Sequence, residues 1–391
     1  MCVLSNMDFF AHKKNVYIFG LLLAAAVLNL LAFRHFFGFL PISDTMGFIS
    51  AIDFFRGFSS PIYPNRYLNP LYPVVSTYVL PFLSASHSLI VLNIVFYLVL
   101  VYATYGLIRR VFQNYTVGLV SALMVMTAYP MLRYALKQVQ DLGGYAWFVL
   151  TIYIGWRWYE DRNPLWLHLA GIAIAFGVLT KESGCMGALF VGILILHATS
   201  SLSEKIRHIA RVSWAPLLTL IVNASRSHDM AYNSLQWIID NWHMYAAANY
   251  HMLQWVGVNT STYNILWVFF GITMFMVIRK KWLLSQQIKL YALAVIPSSL
   301  SYFAWPLFIS RTVFISAWLI IPFAAYGIVR LSQQSKTRLV VLVAIVVCTP
   351  YVLQSTLRYT HIFKIIDDCH RNIPCMWYTF WQQRTIDGPG K

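Results

Sequence analysis

Eleven apolar stretches, each parted from the next by polar or charged residues, decide what this chain can fold into. They run over residues 16–36, 88–108, 116–132, 142–159, 165–180, 184–200, 212–224, 262–279, 288–309, 312–330 and 338–354. A bilayer core about 30 Å thick takes roughly 20 apolar helical residues, and most of these stretches reach or approach that length. The stretch at 212–224 is short and 116–132 runs into Pro130, so tilted or partly covered helices are expected there. A soluble fold is excluded. The expected class is an all-α polytopic membrane protein, a bundle of about 11 transmembrane helices. The first stretch is too long for a signal-peptide core and lacks a small-residue cleavage site, so it is expected to stay as an anchor.

The net charge of +16 could point to nucleic acid. The basic residues, however, sit between apolar stretches rather than along one soluble face, so no nucleic-acid partner is expected. Lys13, Lys14, Arg109, Arg110, Lys205, Arg207, Arg211 and Arg279–Lys281 all fall on one side if the spans alternate. The positive-inside rule then places the N-terminus inside and, after eleven spans, the C-terminus outside. Cys369 and Cys375 are expected in that outer tail, where a disulfide suits an oxidising compartment. Cys2, Cys185 and Cys348 read as small apolar residues.

Two outer segments are long. In 34–87, residues 44–56 are expected to form a short helix with Phe48, Ile49, Ile52 and Phe55 on one face. A stretch punctuated by Pro61, Pro64, Pro70 and Pro73 follows, and Leu71–Leu83 reads as an interfacial helix too short to span. In 225–261, Leu235, Ile238, Ile239, Trp242, Ala246, Leu253 and Val256 recur at helical spacing, and Trp237, Trp242 and Trp255 suit a lipid interface. The chain thus divides into 1–224, with the first outer loop 34–87; the outer amphipathic segment 225–261; the last spans, 262–354; and a polar outer tail, 355–391.

The remaining charges gather at the predicted outer rim. Asp44 and Asp53 lie in the first outer segment with Arg56 and Arg66. Arg133, Lys137 and Asp141 lie between spans three and four, Lys181 and Glu182 between spans five and six, and Arg311 between spans nine and ten. A charge at membrane depth costs about 2.5–3.5 kcal/mol on insertion scales, so such groups pair or mark a site. Carboxylates mixed with Lys and Arg suit a reaction in which a base activates a nucleophile while cations hold a phosphate. Each residue also has a plainer reading. Asp44 and Asp53 suit a solvated loop, Asp141 a helix cap, Lys181 and Glu182 interfacial anchors, and Arg311 a snorkelling side chain. His228, His243 and His251, with Asp229 and Asp240, suit the polar face of a surface helix better than a metal site.

In chain order, these residues form a series: Asp44 after the first span, a Pro-rich stretch, Tyr134-Ala-Leu-Lys137-Gln-Val-Gln-Asp141 opening span four, and Gly177-Val-Leu-Thr-Lys181-Glu182 closing span five. Arg311 followed by an apolar span with Pro322 completes it. The series resembles the GT-C superfamily of membrane glycosyltransferases, nearest to the protein O-mannosyltransferases and the lipid A aminoarabinose transferase. The likeness covers 16–224 well and the rest loosely, so 1–224 is read as the GT-C-like module. Thr45 stands where many relatives carry a second acid, and Phe48 where an aromatic is often Tyr. The polar tail is short where relatives often have a large outer domain.

The resemblance implies a sugar carried on a polyprenyl phosphate, a hydroxyl acceptor (glycolipid, envelope polysaccharide or protein) and membrane lipids as surroundings. Asp44, ionised at neutral pH, is expected to take the acceptor's proton. Asp141 is expected to orient a base, a cation or a sugar hydroxyl. Lys181, Arg311 and Arg66 are expected to neutralise the leaving phosphate, with Glu182 and Lys137 as further substrate contacts. No cofactor is required, although a divalent cation is compatible with the chemistry. The expected setting is a bacterial cytoplasmic membrane with the site facing outward. A transporter or lipid-linked-glycan flippase would place its charges near the midplane and show inverted repeats, neither of which is visible. A polysaccharide polymerase or ligase shares the donor type.

Overall fold

The computed structural model describes residues 2–39, 45–59, 69–227, 258–260, 262–301, 310–333 and 335–360, and it contains no strand among them. The first half runs α1 (Cys2–Phe36), α2 (Thr45–Phe55), α3 (Leu71–Tyr78), α4 (Ala85–Phe112) and α5 (Tyr115–Thr127). It continues with α6 (Asp141–Asp161), α7 (Leu165–Thr180), α8 (Glu182–Cys185), α9 (Gly187–Ala198) and α10 (Leu202–Ser227). The second half holds α11 (Leu266–Ile278), α12 (Gln286–Leu300), α13 (Ser310–Val313), α14 (Ala317–Leu331) and α15 (Lys336–Thr360). Each expected span, where it is described, falls on helix for most of its length. Four of them, Val16–Phe36, Ala85–Phe112, Phe314–Leu331 and Lys336–Leu353, are long and apolar enough to cross a membrane.

Local chemistry sets the helix ends. Ser84 caps α4 by accepting from His87 N, and Gln113 closes the helix in the left-handed conformation at φ 50°. Asn114 then caps α5 through Thr116 N and Val117 N, so two spans are joined by a turn of two residues. Helix α5 stops at Thr127, short of the expected 132. The chain leaves helical geometry at Ala128 (φ −57°, ψ 139°), and Pro130 has no N–H to bond back into α5. A π-helical turn, Met131–Ala135, follows.

Helix α6 is the hub, with α4, α7 and α9 packed along it; α10 covers α7, and α14 packs on α5 and α11. The sequence of α6 is apolar nearly all round, which suits a helix covered on every side. Its Phe148 meets Trp318 edge-on at 5.2 Å, and its Trp156 meets Tyr291 at 6.2 Å. Trp318 Nε1 donates to Thr104 Oγ1 at 3.1 Å, and the Tyr291 hydroxyl donates to the Trp318 carbonyl, so the buried polar atoms of these rings are satisfied. In α1, Asn29 donates to Tyr97 Oη at 2.7 Å and to the Met126 carbonyl at 3.1 Å, and it accepts from the Tyr351 hydroxyl. One amide therefore ties α1 to α4, α5 and α15.

A second, smaller core lies at one end of the bundle. Phe48 and Ile52 of α2 pack with Tyr72 of α3, with Ala85, Leu89 and Leu92 of α4, and with Val139. The buried face of α2 is Thr45, Phe48, Ala51 and Ile52, close to the expected face. Arg56 fastens the arrangement, its Nη2 donating to the Ser76 carbonyl at 2.9 Å and to Leu80 O at 3.3 Å. Helix α3 ends at Tyr78, and the turn beyond it exposes Val79 and Phe82, as an interfacial segment would.

Candidate functional site

Helices α6 and α7 are consecutive and joined by a short turn, so the start of α6 and the end of α7 lie at the same end of the bundle. Helix α7 stops at Thr180, and Lys181 is extended (φ −167°, ψ 149°) before α8 resumes. The interruption costs little: Lys181 N still reaches Gly177 O at 2.8 Å, and its carbonyl accepts from Gly184 N at 2.8 Å. From this break Lys181 Nζ donates to Asp141 Oδ1 at 2.6 Å. The Asp141 side chain is 2% exposed and that of Lys181 is 24% exposed. A short, charge-assisted bond joins a buried carboxylate to an ammonium that reaches the surface. Asp141 also stands in the first turn of α6, where the helix dipole favours negative charge.

Glycines make this approach feasible. A Cβ on Gly143 would lie 2.6 Å from Tyr72 Cε2 and 2.8 Å from Thr180 Cγ2, and one on Gly144 would strike Ser183 Oγ. A Cβ on Gly177 would lie 2.6 Å from the backbone carbonyl of Gly184. Side chains at these positions would push α6, α7 and α8 apart and separate Lys181 from Asp141.

The loop that leads into Asp141 is buried, which is unusual because its backbone groups need partners away from water. Asn93 of α4 supplies them, its amide donating to Val139 O at 2.9 Å and also to Lys137 O. Asn93 Oδ1 in turn accepts from the Tyr72 hydroxyl at 2.7 Å. Gln138 Nε2 donates to Phe39 O at 2.9 Å and its Oε1 accepts from Ser86 Oγ at 3.0 Å. Burial, and to a smaller extent the nearby Asp141 carboxylate, push the Tyr72 phenol well above its ordinary value, so it remains a donor.

The structure thus brings together Asp141 and Lys181, with Lys137 (7% exposed) in the same buried loop. Glu182, next to Lys181, accepts from Asn69 Nδ2 at 3.2 Å and so ties the chain just before α3 to the break between α7 and α8. Asp53 is half-buried on α2. Asp44, Arg66, His228, His243, His251, Cys369 and Cys375 lie outside the described residues. For Arg311 the structure describes the backbone, in α13. Three residues on, Phe314 packs edge-on against Tyr145 at 5.1 Å, one turn along α6 from Asp141, which brings this end of α13 towards the same rim. Helix α2 begins at the buried Thr45, directly after Asp44, and docks against Tyr72 and Val139.

Reading the sequence missed Tyr72, Asn93 and Asn69. Asn93 had a signal, an amide within Leu89–Leu100, where an unpaired polar group is costly. The Gly143-Gly144 pair was another, because glycine weakens a helix unless close approach demands it.

Residues 76–224 match the model of a family described as dolichyl-phosphate-mannose-protein mannosyltransferase. The match supports a membrane glycosyltransferase of the GT-C type, the superfamily that the order of residues resembles. No curated protein matches the chain. The matched segment holds Asn93, Lys137, Asp141, Lys181 and Glu182; Asp44, Arg66 and Arg311 fall outside it.

Proposed function

We propose that the chain moves a sugar from a polyprenyl phosphate to a hydroxyl acceptor at the rim where Asp141 and Lys181 meet. The observation that carries this reading is that ion pair: a buried carboxylate fixing a partly exposed ammonium, within the family-matched segment. A lipid-linked donor would present its phosphate at such a rim while its tail stays among apolar helices.

In this reading the acceptor oxygen attacks the anomeric carbon as Asp44 takes its proton. The bond from that carbon to the phosphate oxygen breaks, and polyprenyl phosphate leaves with the electron pair. The leaving group is already a stable anion, so no general acid is needed. Lys181 spends one of its three N–H donors on Asp141, which holds it in place for the phosphate. Arg311 and Arg66 share that electrostatic role, and Glu182 and Lys137 border the substrates. Helix α2, which follows Asp44 in the chain, docks against Tyr72 and Val139, and this supports the reading. The rim faces outward, across a bacterial cytoplasmic membrane.

The test is Asp44→Asn in purified protein. An amide keeps the shape but takes no proton, and general-base contributions run roughly 10²–10⁴-fold. Transfer is expected to fall by that range with donor binding retained, while Asp53→Asn stays near wild type. Wild-type turnover by Asp44→Asn would remove the base assignment.

A further inference from the structure

The far end of the bundle holds a second concentration of charge that the transfer reaction does not use. Trp158 lies 17 residues along α6 from Asp141, about 26 Å at 1.5 Å per residue. Around it, Arg162 sits with Cζ 5.5 Å from the Trp158 ring centre and 4.8 Å from that of Tyr159. His208 of α10 meets Trp158 edge-on at 5.2 Å, and Arg211 Nη1 lies 3.5 Å from His208 Nδ1. Gly171 lets the backbone of Val212 touch α7, which locks this turn of α10 beside α6 and α7.

The acids nearby are engaged elsewhere. Arg157 holds Asp161 at 2.7 Å, and Arg110 holds Glu160 at 2.7 Å. Only Glu204 remains among the described neighbours of His208, and it reaches Arg207 at 3.5 Å across an exposed gap. Burial first, then Arg211 and Arg207, lower the His208 imidazole below its ordinary value, so it adds no positive charge and can accept a hydrogen bond. Three guanidiniums thus converge on a neutral ring with one weakly held carboxylate among them. Further along α10, on the same face as Arg207 and Arg211, Trp214, Leu218 and Ile221 are 45%, 55% and 66% exposed at helical spacing, an apolar stripe open to lipid.

We propose that Arg162, Arg207 and Arg211, gathered around His208, bind the phosphate of an anionic phospholipid whose acyl chains lie along the Trp214–Ile221 stripe. The guanidinium forks supply donors to phosphate oxygens, and the stripe selects a lipid over a soluble anion. The site is independent of the transfer reaction and of its donor.

Native mass spectrometry of the purified full chain tests it, with phosphatidylglycerol, phosphatidylcholine of the same acyl chains, and inorganic phosphate as probes. Wild type is expected to retain phosphatidylglycerol in preference to phosphatidylcholine, with millimolar inorganic phosphate failing to displace it. Each basic residue near a membrane surface is worth about fivefold, so Arg162→Gln/Arg207→Gln/Arg211→Gln should lose on the order of a hundredfold in preference. A control, Arg279→Gln/Lys280→Gln/Lys281→Gln, removes the same charge from another loop and should keep the preference. Equal losses in both variants, or no preference in wild type, overturn the site. Displacement by inorganic phosphate overturns the lipid assignment. If the triple variant fails to fold, Arg162→Gln alone decides, with an expected loss of about fivefold and wild-type retention as the refuting result.

Discussion

Lys181→Ala probes the ion pair directly, and the structure sets the size of the effect. It strands the Asp141 carboxylate, which is 2% exposed, without its ammonium. Breaking a buried pair from one side costs about 3–5 kcal/mol; with Lys181 24% exposed, water softens the site, and about 2–3 kcal/mol is expected. Asp141→Asn is milder, about 1–2 kcal/mol, because the Lys181 ammonium it releases can turn to water. The double variant Asp141→Asn/Lys181→Met removes both charges of the pair and should be more stable than Lys181→Ala, a coupling of about 1–2 kcal/mol. Thermal unfolding in detergent, followed by size-exclusion fluorescence, reads the order at roughly 2 °C per kcal/mol for a long chain. All three variants should lose transfer. Additive losses, or a Lys181→Ala midpoint equal to that of the exposed Arg207→Ala, would refute the reasoning.

Gly177→Ala forces its new methyl against the Gly184 backbone, which cannot swing aside, so about 1–3 kcal/mol of stability and most transfer activity should go. Gly192→Ala meets nothing within 4 Å and should be neutral or slightly stabilising in the same unfolding assay. For topology, Cys369 and Cys375 should react with a membrane-impermeant thiol reagent on intact cells after mild reduction; labelling only after lysis would invert the orientation.

The bundle was largely legible because apolar length alone marks a membrane helix. The stretch 165–180 became α7 without change. Helix α5 departed at Thr127, because Ala128 turns out of the helix and Pro130 has no N–H to bond back into it. For the proposed site the sequence offers a list of charged residues expected at one rim. Their pairing was not legible: Asp141 and Lys181 are 40 residues apart, and their contact depends on how closely α6 and α7 approach. That approach is set by Gly143, Gly144, Gly177 and Gly184, which carry no charge to mark them in the sequence. Asn93 went unnoticed for the opposite reason. Its polar amide was hidden in an apolar run, and its three partners come from α3 and from the loop before α6.

Turnover by purified protein, offered a polyprenyl-phosphate sugar or the matching nucleotide sugar with a hydroxyl acceptor, tests the central claim most directly. The proposed donor is a lipid because the Asp141–Lys181 pair lies at a rim of apolar helices, where an embedded phosphate would arrive. Turnover with the polyprenyl-phosphate sugar, lost in Lys181→Ala, and none with the nucleotide sugar is the predicted result. Turnover with the nucleotide sugar alone would contradict the account.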